Sequence, residues 1–156
     1  MPDIYIDGDA CPVKAEVERV AARRGLTVFL VSNGGLRPSS NPLFHHVVVG
    51  ASADAADDWI AEHIGANDIC ITADIPLAAR CLAKAARVLG PTGKPFTQNG
   101  IGMALAVRDL QRHLREVTLG GQTYNSGFTN RDRSRFLGAL ENEIQAAKRT
   151  TARAPR

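Results

Sequence analysis

Aromatic residues make up only 5% of the 156-residue chain, too few for the stacking platforms that commonly grip single-stranded nucleic acid. Cysteine is also sparse: Cys11, Cys70 and Cys81 form an odd set with no CxxC pair. That pattern excludes a disulfide framework and a compact zinc site, and fits buried thiols in a reducing compartment. No stretch approaches 18 apolar residues, and the N-terminus lacks a basic stretch followed by an apolar run. A cytoplasmic protein with no membrane partner is therefore expected. The four histidines show no HExxH or other compact ligand spacing, and no GxxxxGK[ST] segment is present. Zinc chemistry and nucleoside triphosphate binding lose their usual sequence support.

The formal net charge is +3, but it is unevenly placed. Lys148, Arg149, Arg153 and Arg156 lie in a terminal stretch without an acid, and the rest holds 15 basic and 16 acidic residues, a net of −1. The body is not a broad cationic platform for phosphates. The length allows one domain with a sizeable core. We expect a single domain over 1–147 and a flexible basic tail over 148–156.

Short apolar runs alternate with alanine-rich helical patterns. IYI (4–6), TVFLVSN (27–33), HHVVVG (45–50), DICITAD (68–74) and RVLG (87–90) read as strands. Helices are predicted over 13–24, 54–64, 76–86, 101–117 and 131–148, with Gly25 ending the first. GPTGKPFTQNG (90–100) and GGQTYNSGFTN (120–130) read as connectors. Near-continuous apolar strands separated by helices predict an α/β fold, a three-layer α/β/α sandwich around a mostly parallel sheet. Right-handed crossovers then put successive strand ends on one rim, where open α/β sheets carry their sites.

The acids fall on that rim. Asp7 and Asp9 flank Gly8 after the first strand, and Asp74 closes the fourth. On the helix of SADAADDWI, Asp54, Asp57 and Asp58 occupy i, i+3 and i+4, sharing about 100° of surface. Ala56, Trp59, Ile60 and His63 fall on the other side. Taken singly, each acid also reads as a helix cap or first-turn acid. Taken together, like charges on one rim call for a cation, and clustered carboxylates suit Mg²⁺ or Mn²⁺. The metal candidates are Asp7, Asp9, Asp54, Asp57, Asp58 and Asp74.

The ordered segments IDGDACPVK, ADAADDWI, ICITADIPLA, FTQNGIG and FTNRDRSRF resemble the bacterial YaiI/YqxD family of uncharacterised proteins, over about residues 3 to 146. That family is regarded as PIN-like, related to the metal-dependent PIN and NYN ribonucleases. The resemblance implies catalytic acids at Asp7, Asp74 and either Asp57 or Asp58, one or two Mg²⁺ or Mn²⁺ ions, and RNA or another nucleic acid as partner. Asp9 and Asp54 are extra to the plainest PIN pattern.

Several polar residues are candidates for binding substrate. Asn33 lies in the SNGG turn after the second strand, where Lys14 and Arg37 would add charge. Thr72 precedes Asp74 by two residues and could hold a carboxylate. Lys94 sits in the polar 90–100 loop. Arg131 and Arg135 share a face at the start of the last helix, where positive charge opposes the dipole. Cys11 reads as a small buried side chain, since no base for a thiol nucleophile is in view. The sequence sets no oligomeric state, and a homo-oligomer is compatible with it. The leading expectation is a metal-dependent phosphodiesterase. A non-catalytic binding module for RNA, nucleotide or protein, and a small phosphate-ester hydrolase, are the alternatives.

Overall fold

The computed structural model describes residues 2–8, 11–34, 40–52, 54–117 and 128–153. Among the described residues, five helices cover a six-stranded sheet. In chain order the elements are β1 (Ile4–Asp7), α1 (Lys14–Arg24), β2 (Val28–Ser32), β3 (Phe44–Val48), α2 (Ala55–His63), β4 (Ile69–Ile71), α3 (Ile75–Ala83), β5 (Arg87–Leu89), β6 (Pro95–Phe96), α4 (Gln98–Val117) and α5 (Asn130–Arg153). The strands lie in the order β3-β2-β1-β4-β5-β6. β1 to β5 run parallel, and β6 is antiparallel to β5.

Alternation along the central strands builds two cores. Ile4 and Ile6 of β1, with Ile69 and Ile71 of β4, face a layer in which Val17 and Val20 of α1 meet Phe136, Leu140 and Ile144 of α5. Tyr5 and Cys70 face the other way, toward Ile60 of α2 and Leu77, Ala78 and Cys81 of α3. The fold is thus an α/β sandwich with helices on both faces, because the strands are apolar on both faces. Each large aliphatic side chain buried in these layers contributes about 1.5–3 kcal/mol. The wholly buried Phe136, Leu140 and Ile144 are spaced four apart, the period that ties one stripe of α5 to α1.

Four stretches depart clearly from the sequence expectations, the first three for local reasons. The 90–100 stretch is a tight hairpin, not a plain loop. Gly90 N–H donates to Lys94 O at 2.9 Å, Gly93 turns with φ of 94°, and Pro95–Phe96 pair with Leu89 and Val88. Proline is tolerated there because β6 is an edge strand. Helix α4 starts at Gln98, not Ile101, because Thr97 Oγ1 accepts from Gly100 N–H at 3.0 Å and so caps it. α3 stops at Ala83, where Lys84 and Ala85 close a turn with Ala85 at φ of 63°. α5 runs to Arg153, past the expected end at Lys148. As expected, Gly25 ends α1 in the left-handed region, φ 66°.

Among the described residues, no helix is long and apolar enough to cross a membrane.

Candidate acidic rim

The strand order decides where a site can form. From β1 the chain moves outward to β2 and β3, then returns to place β4 on the other side of β1. The crevice beyond the carboxyl ends of β1 and β4 is therefore the topological switch point, the preferred ligand position in such sheets. A cavity of about 270 Å³ opens there, lined by Asp7, Cys11, Ile71, Thr72, Ala73, Asp74 and Pro91. A larger hollow of about 560 Å³ lies over Leu82, Arg87, Phe96 and Glu143. It is at the wrong end of β5 to share this chemistry.

Hydrogen bonds fix the cavity wall. Thr72 is buried; its Oγ1 donates to Asp7 Oδ2 at 3.1 Å and accepts from Asp74 N–H at 2.9 Å. One hydroxyl thus ties the end of β1 to the chain leaving β4. The sequence expectation that Thr72 holds a carboxylate is matched in outcome, but the carboxylate is that of Asp7. Thr72 and Asp74 lie beyond the end of β4 at Ile71, not within the strand expected over 68–74. Asp74 is the N-cap of α3, its Oδ1 accepting from Leu77 N–H at 2.9 Å, with Pro76 in the first turn. Asp74 also lines the cavity.

Gly8 is needed for proximity. A β-carbon there would stand 2.8 Å from Leu30 Cδ1 and 2.9 Å from Val31 O. Only glycine lets the chain leaving β1 lie this close to β2.

Helix α2 resolves its own three acids. Ala56 and Ile60 are buried against the sheet, and Trp59 lies partly buried with its ring stacked on the exposed His63, centroids 3.9 Å apart. This orientation leaves Asp57 half-buried and facing the rim. Its carboxyl is pushed up to about 6, first by burial and then by the charges of Asp74, Asp7 and Asp54. Asp58, one residue on, instead pairs with Arg80 at 2.8 Å on the surface. Asp54 occupies the N-cap position with no side-chain cap bond. The structure therefore brings Asp7, Asp57 and Asp74 into one field and turns Asp58 away from it.

Among the described residues, no three His, Cys, Asp or Glu side chains stand at ligand spacing. The three carboxylates share a field without closing a cage. Their chemistry still suits a hard cation that keeps most of its waters and takes one or two protein carboxylates. Asp9 and Arg37 lie outside the described residues.

The remaining candidates are exposed or half-buried. Asn33 and Lys94 are exposed, and Lys14 is half-buried at the start of α1. Arg131 and Arg135 are exposed on α5. The expected conflict with the α5 dipole is met by a reciprocal capping box: Thr129 N–H donates to Asp132 and Asp132 N–H donates to Thr129 Oγ1, both at 3.1 Å. Cys11 lines the cavity, where burial pushes its thiol up. It stays protonated at neutral pH and is a poor nucleophile.

Two polar pairs near the rim escaped the sequence reading. Buried Glu16 accepts from Arg133 Nη1 at 2.7 Å, and the same Nη1 reaches Pro12 O at 3.4 Å. This ties the turn behind Cys11 to α5. Glu16 lies with Val13, Val17 and Val20 on one helical stripe, and that position was a readable sign of burial. Buried Ser32, at the end of β2, has its hydroxyl 2.8 Å from His46 Nε2 and accepts from Gly34 N–H at 3.2 Å. These bonds order the start of the turn containing Asn33.

Comparison with known proteins agrees with the segment order quoted above. Residues 5–146 match the model of the family described as "Uncharacterized BCR, YaiI/YqxD family". The UPF0178 protein mlr0875 of Mesorhizobium japonicum is 60% identical over 146 residues, 94% of each chain. A UPF0178 protein of Parvibaculum lavamentivorans is 58% identical over 151 residues, covering 96% of this chain and 97% of its own. A third, Atu1478 of Agrobacterium fabrum, is 55% identical over 148 residues. With the match spanning nearly the whole sandwich, the chain belongs to the YaiI/YqxD family, UPF0178.

Proposed function

We propose that the chain is a divalent-metal-dependent phosphodiesterase with a PIN-like acidic rim, acting on RNA. The observation that carries this reading is Asp57. A helix carboxylate faces the carboxylates delivered by β1 and β4, and burial, followed by the charges of Asp74 and Asp7, raises it to about 6. Such a field is relieved by a cation.

Asp7, Asp57 and Asp74 would hold Mg²⁺ or Mn²⁺, which when bound lowers the pKa of water and balances charge on a transferring phosphoryl group. The chain's own residues set the geometry. Thr72 fixes the Asp7 carboxylate, the α3 cap fixes Asp74, and the packing of Ala56 and Ile60 aims Asp57 inward. Attack of water on phosphorus would leave 5′-phosphate and 3′-hydroxyl ends. The near-neutral body favours weak intrinsic RNA binding.

The test is cleavage of end-labelled single-stranded RNA by the purified chain in Mn²⁺. Cleavage should vanish with chelator, in Asp57→Asn and in an Asp7→Asn, Asp74→Asn double variant, and persist in Asp58→Asn. Cleavage that survives chelation, or a folded wild-type chain inert on every RNA tried, would sink the proposal. The absence of ligand spacing among the described residues favours a second reading, a non-catalytic binding module. RNA binding without turnover would select it.

A further inference from the structure

The groove between α1 and α5 gathers positive charge that the sequence scatters. A hollow of about 510 Å³ lies there, lined by Arg19, Val20, Arg23, Leu137, Gly138 and Glu141. A β-carbon at Gly138 would meet nothing within 4 Å, which leaves the middle of the groove open. Each glutamate in it is held by two arginines, one of them much more exposed. Glu16, whose side chain is 7% exposed, accepts from Arg133 at 2.7 Å, while Arg19 stands 3.6 Å from the same oxygen and is 72% exposed. Glu141 is bridged by Arg24, 29% exposed, and by Arg23, 69% exposed, at 2.8 Å. Four arginines against two glutamates leave a net charge of +2 in the groove, with Arg19 and Arg23 open to solvent. They are one helical turn apart, about 6 Å along the axis. Such a row suits a chain with a charge on every unit, whereas one small anion would engage only one end of it.

The groove starts at the acidic cavity. Arg133 Nη1 lies 3.4 Å from Pro12 O, beside Cys11 in the cavity wall. On the other side the backbone of Arg135 packs against Gly93, in the hairpin turn that places Pro91 in the same wall. The first turns of α5 therefore flank the cavity, and from there Arg19 and Arg23 lie progressively farther along α1. A strand with one phosphate at the acids would meet these arginines with the phosphates beyond it.

We propose that the α1–α5 groove is the track for the backbone of a single RNA strand leaving the acidic rim, with Arg19 and Arg23 on its phosphates. This rests on RNA being the partner of the rim, as proposed above. The track is a narrow one, in keeping with a body of near-neutral charge.

Fluorescence anisotropy of an end-labelled single-stranded RNA with the full chain, in chelator, tests the track without requiring cleavage. For a single strand each phosphate contact contributes about 0.7 to the slope of log affinity against log salt. The Arg19→Gln, Arg23→Gln double variant should therefore lower the slope by about 1.4, so that its loss of affinity is about sevenfold larger at ~50 mM salt than at ~200 mM. Arg19→Lys with Arg23→Lys, which keeps both charges, should keep the slope, and circular dichroism checks the fold of each variant. Lys84→Gln, at the C-cap of α3 on the opposite face of the sheet, should leave the slope unchanged. A folded Gln double variant with an unaltered slope would overturn the track, even if it still cleaves RNA and the phosphodiesterase reading stands. So would a slope that Lys84→Gln lowers as much, or a wild-type chain that holds no RNA at ~50 mM salt up to about 0.1 mM protein. RNA bound with the expected change of slope but never cleaved would support the track and select the non-catalytic reading of the rim.

Discussion

Replacing Asp57 with Asn should make the metal-free protein more stable at neutral pH. The carboxyl rises from its ordinary value of 3.8 to about 6, chiefly through burial and then through Asp74 and Asp7. The folded state therefore holds this proton more tightly than the unfolded chain. The resulting stabilisation is complete below pH 3.8 and is lost as pH rises through about 6. At ~1.4 kcal/mol per tenfold change in the proton equilibrium, a fully buried group would lose about 3 kcal/mol above that range. Asp57 is only half-buried, so solvent screening reduces this to roughly 1.5 kcal/mol. Its place in the first turn of α2 returns about 0.5 kcal/mol through the helix dipole, which Asn forfeits. The net expectation is about 1 kcal/mol in favour of Asp57→Asn, a rise in Tm of ~2–4 °C for a domain of this size. Urea and thermal melts in chelator, one series above pH 6 and one below 3.8, measure it. The advantage should be present in the first and absent in the second. An Asp57→Asn protein no more stable than wild type above pH 6 would refute the idea that three carboxylates share an uncompensated field.

Thr72→Val keeps the shape but removes the hydroxyl that accepts from Asp74 N–H and donates to Asp7 Oδ2. A loss of about 2 kcal/mol is expected in denaturant melts, with Thr72→Ser largely restoring it. Arg133→Ala should cost about 2 kcal/mol, because buried Glu16 loses its 2.7 Å partner while its Oε2 already lacks one; a double Arg133→Met, Glu16→Met variant should recover most of that in the same melts. Gly93→Ala should destabilise by more than 1 kcal/mol, since φ is 94° and the new carbon would stand 2.9 Å from the Arg135 backbone. Calorimetric Tm would show it.

Sequence alone settled what depends on local pattern. The near-continuous apolar strands and the alanine-rich helices between them required a sheet covered on both faces, and Gly25 and Asp74 marked a helix end and a helix start. Acids following β1 and β4 were also legible, because chain order and crossover handedness put those ends on one rim. The β5–β6 hairpin was not, since a two-residue edge strand opening with proline carries almost no periodic signal. Nor could the sequence choose between Asp57 and Asp58, which occupy neighbouring positions on one turn. Only the packing of Ala56 and Ile60 on the sheet fixed the rotation of α2, turning Asp57 toward Asp7 and Asp74 and leaving Asp58 to Arg80. The same limit hid the Glu16–Arg133 pair, 117 residues apart in sequence. Periodicity shows that a helix has faces, whereas the neighbour each face meets is set by the tertiary fold.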